Sequence, residues 1–291
     1  MAIDKTTVGK RVAITGGRGR LAPLAAGFLR ARGWNVQSYS REGTDGLLPM
    51  SDLLNGRTPS PDWILHCAWS SLPITAEKHP DGFELEDIPT LKGLLSTHPH
   101  ARMVFFSTAA VYGNTGSAPA AESHPTAPLG AYARGKLAAE DLISSQASGR
   151  SLILRITNLL GHPSDPDRPQ GVLPKLIACA QSGRPFEMWA RPEGRKDYLD
   201  TRDFLEALAL LMSGEATGIV NMASGNSFSL PELIKAVEAA TETKLTIIPR
   251  EPFPWDVVTS RIDNTRLRSL INWQPDHKLA DSIWANMESA R

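Results

Sequence analysis

Apolar residues along this chain fall into short β-branched runs separated by stretches in which they return every three or four positions. Arg11 to Thr15 (RVAIT) is the first run, stopped by Gly16-Gly17, and Leu21 to Arg32 then takes up a helical rhythm ending at Gly33. Trp34 to Tyr39, Trp63 to Ala68 and Arg102 to Ser107 predict three more strands, with Ser151 to Ile156 (SLILRI) as a further buried one. Ile88 to Thr97 and Tyr132 to Ala147 predict helices. Strands alternating with helices predict an α/β fold with a doubly wound parallel sheet, which binds ligands at the carboxyl ends of its strands. After Asn158 the character changes to a Pro- and Asp-rich loop, GHPSDPDRPQG, followed by mixed helices and short strands. A first domain over residues 1–160 is therefore expected, with residues 161–196 and 222–291 forming a smaller α/β region. Residues 197–221 are expected to return to the first domain, Asp197 to Met212 as a helix.

Length and charge narrow the classes of function. At about 150 residues per domain, 291 residues make roughly two. Lys and Arg total 31 and Asp and Glu total 31, so the chain lacks the broad cationic field that binding to nucleic acid requires. With 41% hydrophobic and 21% charged residues, and every long apolar stretch interrupted, a soluble globular protein away from the membrane is expected. The polar N-terminus has no apolar signal core, and Cys67 and Cys179 lack metal-ligand spacing, which points to a reducing cytoplasm and no metal site.

The turn after the first strand reads Thr15-Gly16-Gly17-Arg18-Gly19-Arg20-Leu21-Ala22, a Gly-x-x-Gly-x-x-Ala spacing between strand and helix. Small residues there let backbone N–H groups and the helix dipole hold a pyrophosphate, which makes residues 1–160 a candidate dinucleotide-binding domain. An acidic residue at the end of the second strand would accept the ribose hydroxyls of NAD, but this chain has Ser40-Arg41. Arg18 and Arg41 together suit a 2′-phosphate, so NADP(H) is expected in preference to NAD. Their plainer role is as solvated surface arginines.

Downstream, Tyr132 and Lys136 are one helical turn apart, and the fourth strand delivers Ser107 and Thr108 to the same edge of the sheet. Reducing a carbonyl by hydride transfer needs a proton donor at the nascent alkoxide. A Tyr hydroxyl can serve if Lys136 and an oxidised nicotinamide lower its pKa from the usual value near 10, while Thr108 orients the carbonyl oxygen.

With these motifs the chain resembles the extended short-chain dehydrogenase/reductases that act on nucleotide sugars as epimerases, dehydratases and reductases. The resemblance spans most of the chain: TGGRGRLA, ILHCAW, VFFSTAAVYG, the run from Glu122 through Pro125, Pro128 and Tyr132 to Lys136, LRITNLLG, RKDYLDTRD and INWQP. It implies a Rossmann domain, catalysis by Thr108, Tyr132 and Lys136, and a cofactor set of Gly16, Gly17, Arg18, Gly19, Arg20, Leu21, Ser40, Arg41, Ala68, Tyr132 and Lys136. It further implies that Thr108, Asn158, Arg195, Lys196 and Arg261 meet substrate, the last four at its diphosphate, and that the Tyr132 helix joins a homodimer. Two departures stand out. Asp87 replaces the Asn that commonly opens its helix, and Ala109-Ala110 replace the Asp-Glu that dehydratases place after the catalytic Thr.

The resulting expectation is an NADPH-dependent reductase of a keto group on a nucleotide-activated sugar, a 4-keto-6-deoxy sugar in particular. The alternatives are an epimerase that retains its cofactor and a non-catalytic NADP-binding sensor or scaffold. His98 and His100 are expected in a surface loop, His66 and Cys67 in an apolar strand, and His162 as a candidate auxiliary acid or base.

Overall fold

The structure, a computed structural model, describes residues 9–161 and 171–289, so His162 lies outside the described residues. The chain begins with β1 (Arg11–Thr15), α1 (Leu21–Arg30), β2 (Asn35–Ser40), β3 (Leu48–Pro49), α2 (Met50–Leu54) and β4 (Trp63–His66). Two short helices, α3 (Pro73–Ala76) and α4 (Gly82–Leu85), precede α5 (Asp87–Thr97), β5 (Arg102–Thr108), α6 (Ala131–Gln146), β6 (Ser151–Ile156) and β7 (Asn158–Leu160). Then come α7 (Val172–Ser182), β8 (Phe186–Met188), β9 (Arg195–Asp200), α8 (Thr201–Ser213), β10 (Gly218–Met222), β11 (Ser227–Ser229) and α9 (Leu230–Thr241). The chain closes with β12 (Ile247–Pro249), β13 (Thr259–Ser260), α10 (Thr265–Ile271) and α11 (Leu279–Ser289).

These elements gather into two compact units, one of Met1–Val111, Gly130–Arg155 and Leu208–Val220, the other of Tyr112–Leu129, Ile156–Ala207 and Asn221–Arg291. The first unit is built on a seven-stranded sheet in the order β10-β6-β5-β4-β1-β2-β3, a doubly wound Rossmann arrangement. Its central strands are buried on both faces: every residue of β4 and β6 is buried, as a central strand covered by helices requires. Leu91, Leu94 and Leu95 of α5 and Ala139 and Ile143 of α6 supply helical stripes that pack with Ile64, Met103, Phe105 and Ile153 of the sheet. The strand order reverses between β1 and β4, so their carboxyl ends flank the crevice where such sheets bind ligands.

In the second unit β9 pairs with β11, β13 and β7, and β8 pairs with β12. Helices α7, α9 and α11 share an apolar core that includes Leu173, Leu176, Ile177, Leu233, Val237 and Ile283. Helix α9 starts at a capping box, Ser229 Oγ accepting from Glu232 N–H at 3.3 Å and the Glu232 carboxylate from Ser229 N–H at 2.7 Å.

One expectation about this part of the chain is corrected. Asp197 to Met212 is not a single helix, because Arg195–Asp200 forms β9 and the helix starts at Thr201. Pairing with three partner strands outweighs the local helical rhythm. Among the described residues no helix is long and apolar enough to cross a membrane.

Candidate active site

The site starts at the switch point of the sheet. Gly16 has φ +74°, and a Cβ there would lie 2.8 Å from the backbone nitrogen of Ala68, so both the left-handed backbone and the close approach to the end of β4 demand glycine. Gly17 N–H donates to Tyr39 O at 2.8 Å and Gly19 N–H to Gly16 O at 2.7 Å, which fixes the turn against β2. Thr15 Oγ1 lies 2.8 Å from His66 Nδ1 and accepts from Ala68 N–H at 3.2 Å, binding β1 to β4 at their carboxyl ends. Helix α1 has neither an acidic residue in its first turn nor a side-chain cap, leaving a positive helix end that fits a dinucleotide phosphate.

Ser40 is buried, and its hydroxyl accepts from Gly43 N–H at 3.2 Å. Arg41 pairs with Glu86 at 3.2 Å and Arg18 with Asp45 at 3.3 Å, so each guanidinium already faces a carboxylate. Exposed pairs of this kind contribute less than about 1 kcal/mol, and a ligand phosphate can displace either acid.

Helix α6 carries Tyr132 and Lys136 on one face, with Lys136 Nζ 5.8 Å from the centre of the Tyr132 ring. Gly135 between them lets the helix pack tightly, since a Cβ there would fall 2.8 Å from the Phe83 ring. Lys136 is 2% exposed. Its Nζ donates to Phe106 O at 2.8 Å and sits 4.0 Å from the centre of the Trp69 ring and 4.7 Å from that of Phe105. Burial lowers its pKa to about 7, against the opposing attraction of Asp87 above all. The Tyr132 hydroxyl, expected from the sequence to be lowered by Lys136, is instead pushed up to about 12 by burial and by Asp87. His66, buried and stacked on Phe105, is held neutral with its pKa down to about 3, and burial also raises the Cys67 thiol.

The two hydroxyls at the end of β5 part company, because adjacent strand residues point to opposite faces. Ser107 does not join the site edge. It is buried and donates to Glu140, which Arg155 grips through three hydrogen bonds at 2.7, 3.1 and 3.2 Å. Thr108 is half-buried, its hydroxyl oxygen accepting from Ala110 N–H at 3.2 Å. The Ser107–Glu140–Arg155 network fastens α6 to β5 and β6 and so fixes the backbone that carries Thr108, Tyr132 and Lys136.

The residues expected at a substrate diphosphate belong to the second unit, where the strand register collects them. β13 runs parallel to β9 with Thr259 opposite Arg195 and Ser260 opposite Lys196, so Arg261 follows directly after. All four make internal contacts. Asn158 Nδ2 donates to Asp197 O at 3.0 Å, Arg195 pairs with Glu232 at 3.0 Å, and Lys196 pairs with Asp256 at 2.7 Å. Arg261 Nη1 donates to Ser117 O at 3.2 Å, while its Nε is buried with no hydrogen-bond partner.

Two features escaped the sequence reading. Trp189, Phe253 and Trp255 form a ladder with ring centres 5.2 and 5.0 Å apart and planes within 18°, and Trp189 remains 41% exposed. An exposed tryptophan close in sequence to Arg195 and Lys196 was the available signal. Asp87, noted only as a departure, is buried and accepts from both Ser70 N–H at 2.9 Å and Ser70 Oγ at 2.6 Å. His98 is also corrected: it is buried with Nε2 2.9 Å from Leu53 O, whereas His100 is exposed.

Comparison with known proteins agrees with this architecture. The sequence profile described as the NAD dependent epimerase/dehydratase family matches residues 12–223. The dTDP-4-dehydro-6-deoxyglucose reductase of Escherichia coli is 25% identical over 236 residues, covering 78% of this chain and 74% of that protein. The UDP-glucose 4-epimerase of Corynebacterium glutamicum is 25% identical over 315 positions, covering 94% and 95%. Among solved structures, the UDP-glucose 4-epimerase of Thermus thermophilus, crystallised with NAD, shares the fold at a TM-score of 0.86, with 24% identity over 96% of this chain and 98% of that one. With the profile spanning most of the chain, over a Rossmann sheet whose glycine turn lies at the switch point, this chain belongs to the NAD-dependent epimerase/dehydratase family of extended short-chain dehydrogenase/reductases.

Proposed function

We propose that the protein reduces a keto group on a nucleotide-activated sugar, a 4-keto-6-deoxy sugar in particular, with NADPH. The observation that carries this reading is the placement of half-buried Tyr132 and buried Lys136 one turn apart on one face of α6, with Lys136 Nζ 5.8 Å from the centre of the Tyr132 ring. A bound nicotinamide would supply the hydride to the carbonyl carbon, held by the glycine turn, Arg20, Leu21, Ala68 and Lys136. Tyr132 gives its proton to the carbonyl oxygen as the alkoxide develops, and Thr108 donates a hydrogen bond to that oxygen. With its pKa raised to about 12 by burial, Tyr132 keeps its proton until positive charge gathers beside it, and Lys136 supplies part of that charge. The tyrosinate is then reprotonated from water, with the Lys136 ammonium steadying it.

NADPH over NADH is supported by Ser40-Arg41 at the end of β2, in place of the acidic residue that accepts the ribose hydroxyls of NAD, and by Arg18 in the glycine turn, with a 2′-phosphate displacing their exposed partners Glu86 and Asp45. Arg195, Lys196, Arg261 and Asn158 would hold the diphosphate, exchanging internal partners for phosphate oxygens, and the exposed face of Trp189 offers a stacking surface for the base. The half-buried Leu137 and Ala138 of α6 support a homodimer, which light scattering across micromolar concentrations would test against a monomer mass of 31.6 kDa. An epimerase that retains its cofactor is the second reading, favoured by the near full-length match to the Corynebacterium epimerase. A dehydratase is disfavoured because Ala109-Ala110 offer no acid or base.

Substrate-range kinetics test the proposal. A nucleotide-linked 4-keto sugar should be reduced at least about 100-fold more efficiently than the free keto sugar, equivalent to roughly 2.7 kcal/mol of transition-state binding. Equal efficiency would remove the nucleotide-sugar assignment.

A further inference from the structure

The structure assigns a positioning role to Asp87, Ser70 and Trp69: Asp87 clamps Ser70, and the clamp sets the indole of Trp69 as a cover over the Lys136 ammonium. The assignment rests on Lys136 being the cation of the active site, as proposed above.

Asp87 opens α5, where a carboxylate is favoured by the helix dipole, yet it is only 6% exposed, and both its oxygens are taken by one residue. Ser70 donates its backbone N–H to one and its hydroxyl to the other, a charge-assisted two-point hold on the segment that leaves β4. Trp69 is the adjacent residue. Its ring packs against Phe105 at 6.0 Å and lies 4.0 Å from Lys136 Nζ. The indole N–H is buried with no hydrogen-bond partner, which carries the cost of an unsatisfied buried donor. Phenylalanine or leucine would fill the space without that cost. What the indole adds is the most favourable aromatic face for a cation.

The charged and titratable groups facing Lys136 come from three elements. The end of β4 contributes His66 and Cys67, both neutral, and α6 itself contributes Tyr132 and Glu140, the latter already neutralised by Arg155. Asp87 from α5 is the largest opposing charge and has only neutral hydrogen-bond donors of its own. It therefore does two things: it holds the cover through Ser70, and it favours the charged form of the lysine under that cover.

These functions move the lysine in opposite directions, which separates them from mere loosening of the fold. The protein labelled with carbon-13 at lysine Cε is titrated by NMR, with the Lys136 resonance assigned from its loss in Lys136→Arg. In the unaltered protein its midpoint is expected near 7. Asp87→Asn keeps an acceptor for Ser70 and removes the charge, so the midpoint should fall by about one unit, a tenfold change. Trp69→Ala admits water, whose solvation of the ammonium outweighs the lost aromatic face because burial is the largest influence on this lysine, and should raise the midpoint by at least about one unit. Ser70→Ala, which deletes a single hydroxyl and keeps the charge, should raise it by less. A rise or no change in Asp87→Asn, or an unmoved midpoint in Trp69→Ala, would overturn the proposal. The titration needs no substrate, so failure of the nucleotide-sugar reading would appear separately, as absent turnover with the midpoints behaving as stated.

Discussion

Replacing Arg155 by Met takes away the cation paired with the Glu140 carboxylate in the buried network under α6. The two side chains are 4% and 2% exposed, and three hydrogen bonds at 2.7, 3.1 and 3.2 Å join them. In Arg155→Met the carboxylate keeps the Ser107 hydroxyl as a donor, and a buried charge stripped of its partner costs about 3–5 kcal/mol. Removing both charges, as in Glu140→Met with Arg155→Met, leaves an apolar pair of similar volume. Within the described network this leaves the Ser107 hydroxyl without its acceptor, a cost of about 1–3 kcal/mol. The double variant should therefore be more stable than Arg155→Met alone, although it carries one more substitution. Urea unfolding followed by circular dichroism measures all four corners of the cycle, with an unchanged denaturant slope showing that stability alone has moved. A loss below about 1 kcal/mol for Arg155→Met, or a double variant destabilised by the sum of the singles, would refute the account of the network.

Three further outcomes follow from the same geometry. Tyr132→Phe removes only the proton-donating hydroxyl, so turnover should fall by about 10² to 10⁴ while NADPH affinity, read by fluorescence titration, stays near normal. Arg41→Asp should shift cofactor preference towards NADH by about 1–3 kcal/mol, and unchanged relative affinities in calorimetry would discard the 2′-phosphate role. Burial raises the Asp197 carboxyl from 3.8 to about 6 against the pull of its hydrogen bonds to Ser224 and Thr157. A raised folded pKa means that the native state holds the proton over this window, so this contribution to stability is present at the acid end and is lost as pH rises through about 6. Asp197→Asn should flatten that fall, measured as thermal midpoints across about pH 4 to 7, and an identical pH slope in the variant would contradict the assignment.

How much of this was legible in the sequence depends on how far apart the deciding partners lie. β1 and β6 have the predicted bounds because an apolar β-branched run stopped by glycine, and a run buried on both faces, are decided by their own residues. β9 was missed because its alternation, RKDYLD, becomes a strand only through pairing with β7, β11 and β13. The one-turn spacing of Tyr132 and Lys136 was visible, but the environment that raises one pKa and lowers the other comes from Asp87, Trp69 and Phe105 on other elements. Ser107 and Thr108 were equivalent as letters, and the pleat of β5 separated them. The carboxylates facing Arg18 and Arg41, at Asp45 and Glu86, lie 27 and 45 residues away, beyond the reach of any local pattern.

The central claim, net reduction of a nucleotide-linked keto sugar, is tested most directly by following the hydride. The protein is incubated with a nucleotide-linked 4-keto-6-deoxy sugar and NADPH deuterated at the transferring position of the nicotinamide, and the product is analysed by mass spectrometry and NMR. The account predicts one deuterium per product at the former carbonyl carbon and one NADP+ formed per sugar reduced. Conversion of a nucleotide sugar into its epimer with no deuterium incorporated and no NADPH consumed would contradict it and establish the retained-cofactor reading instead.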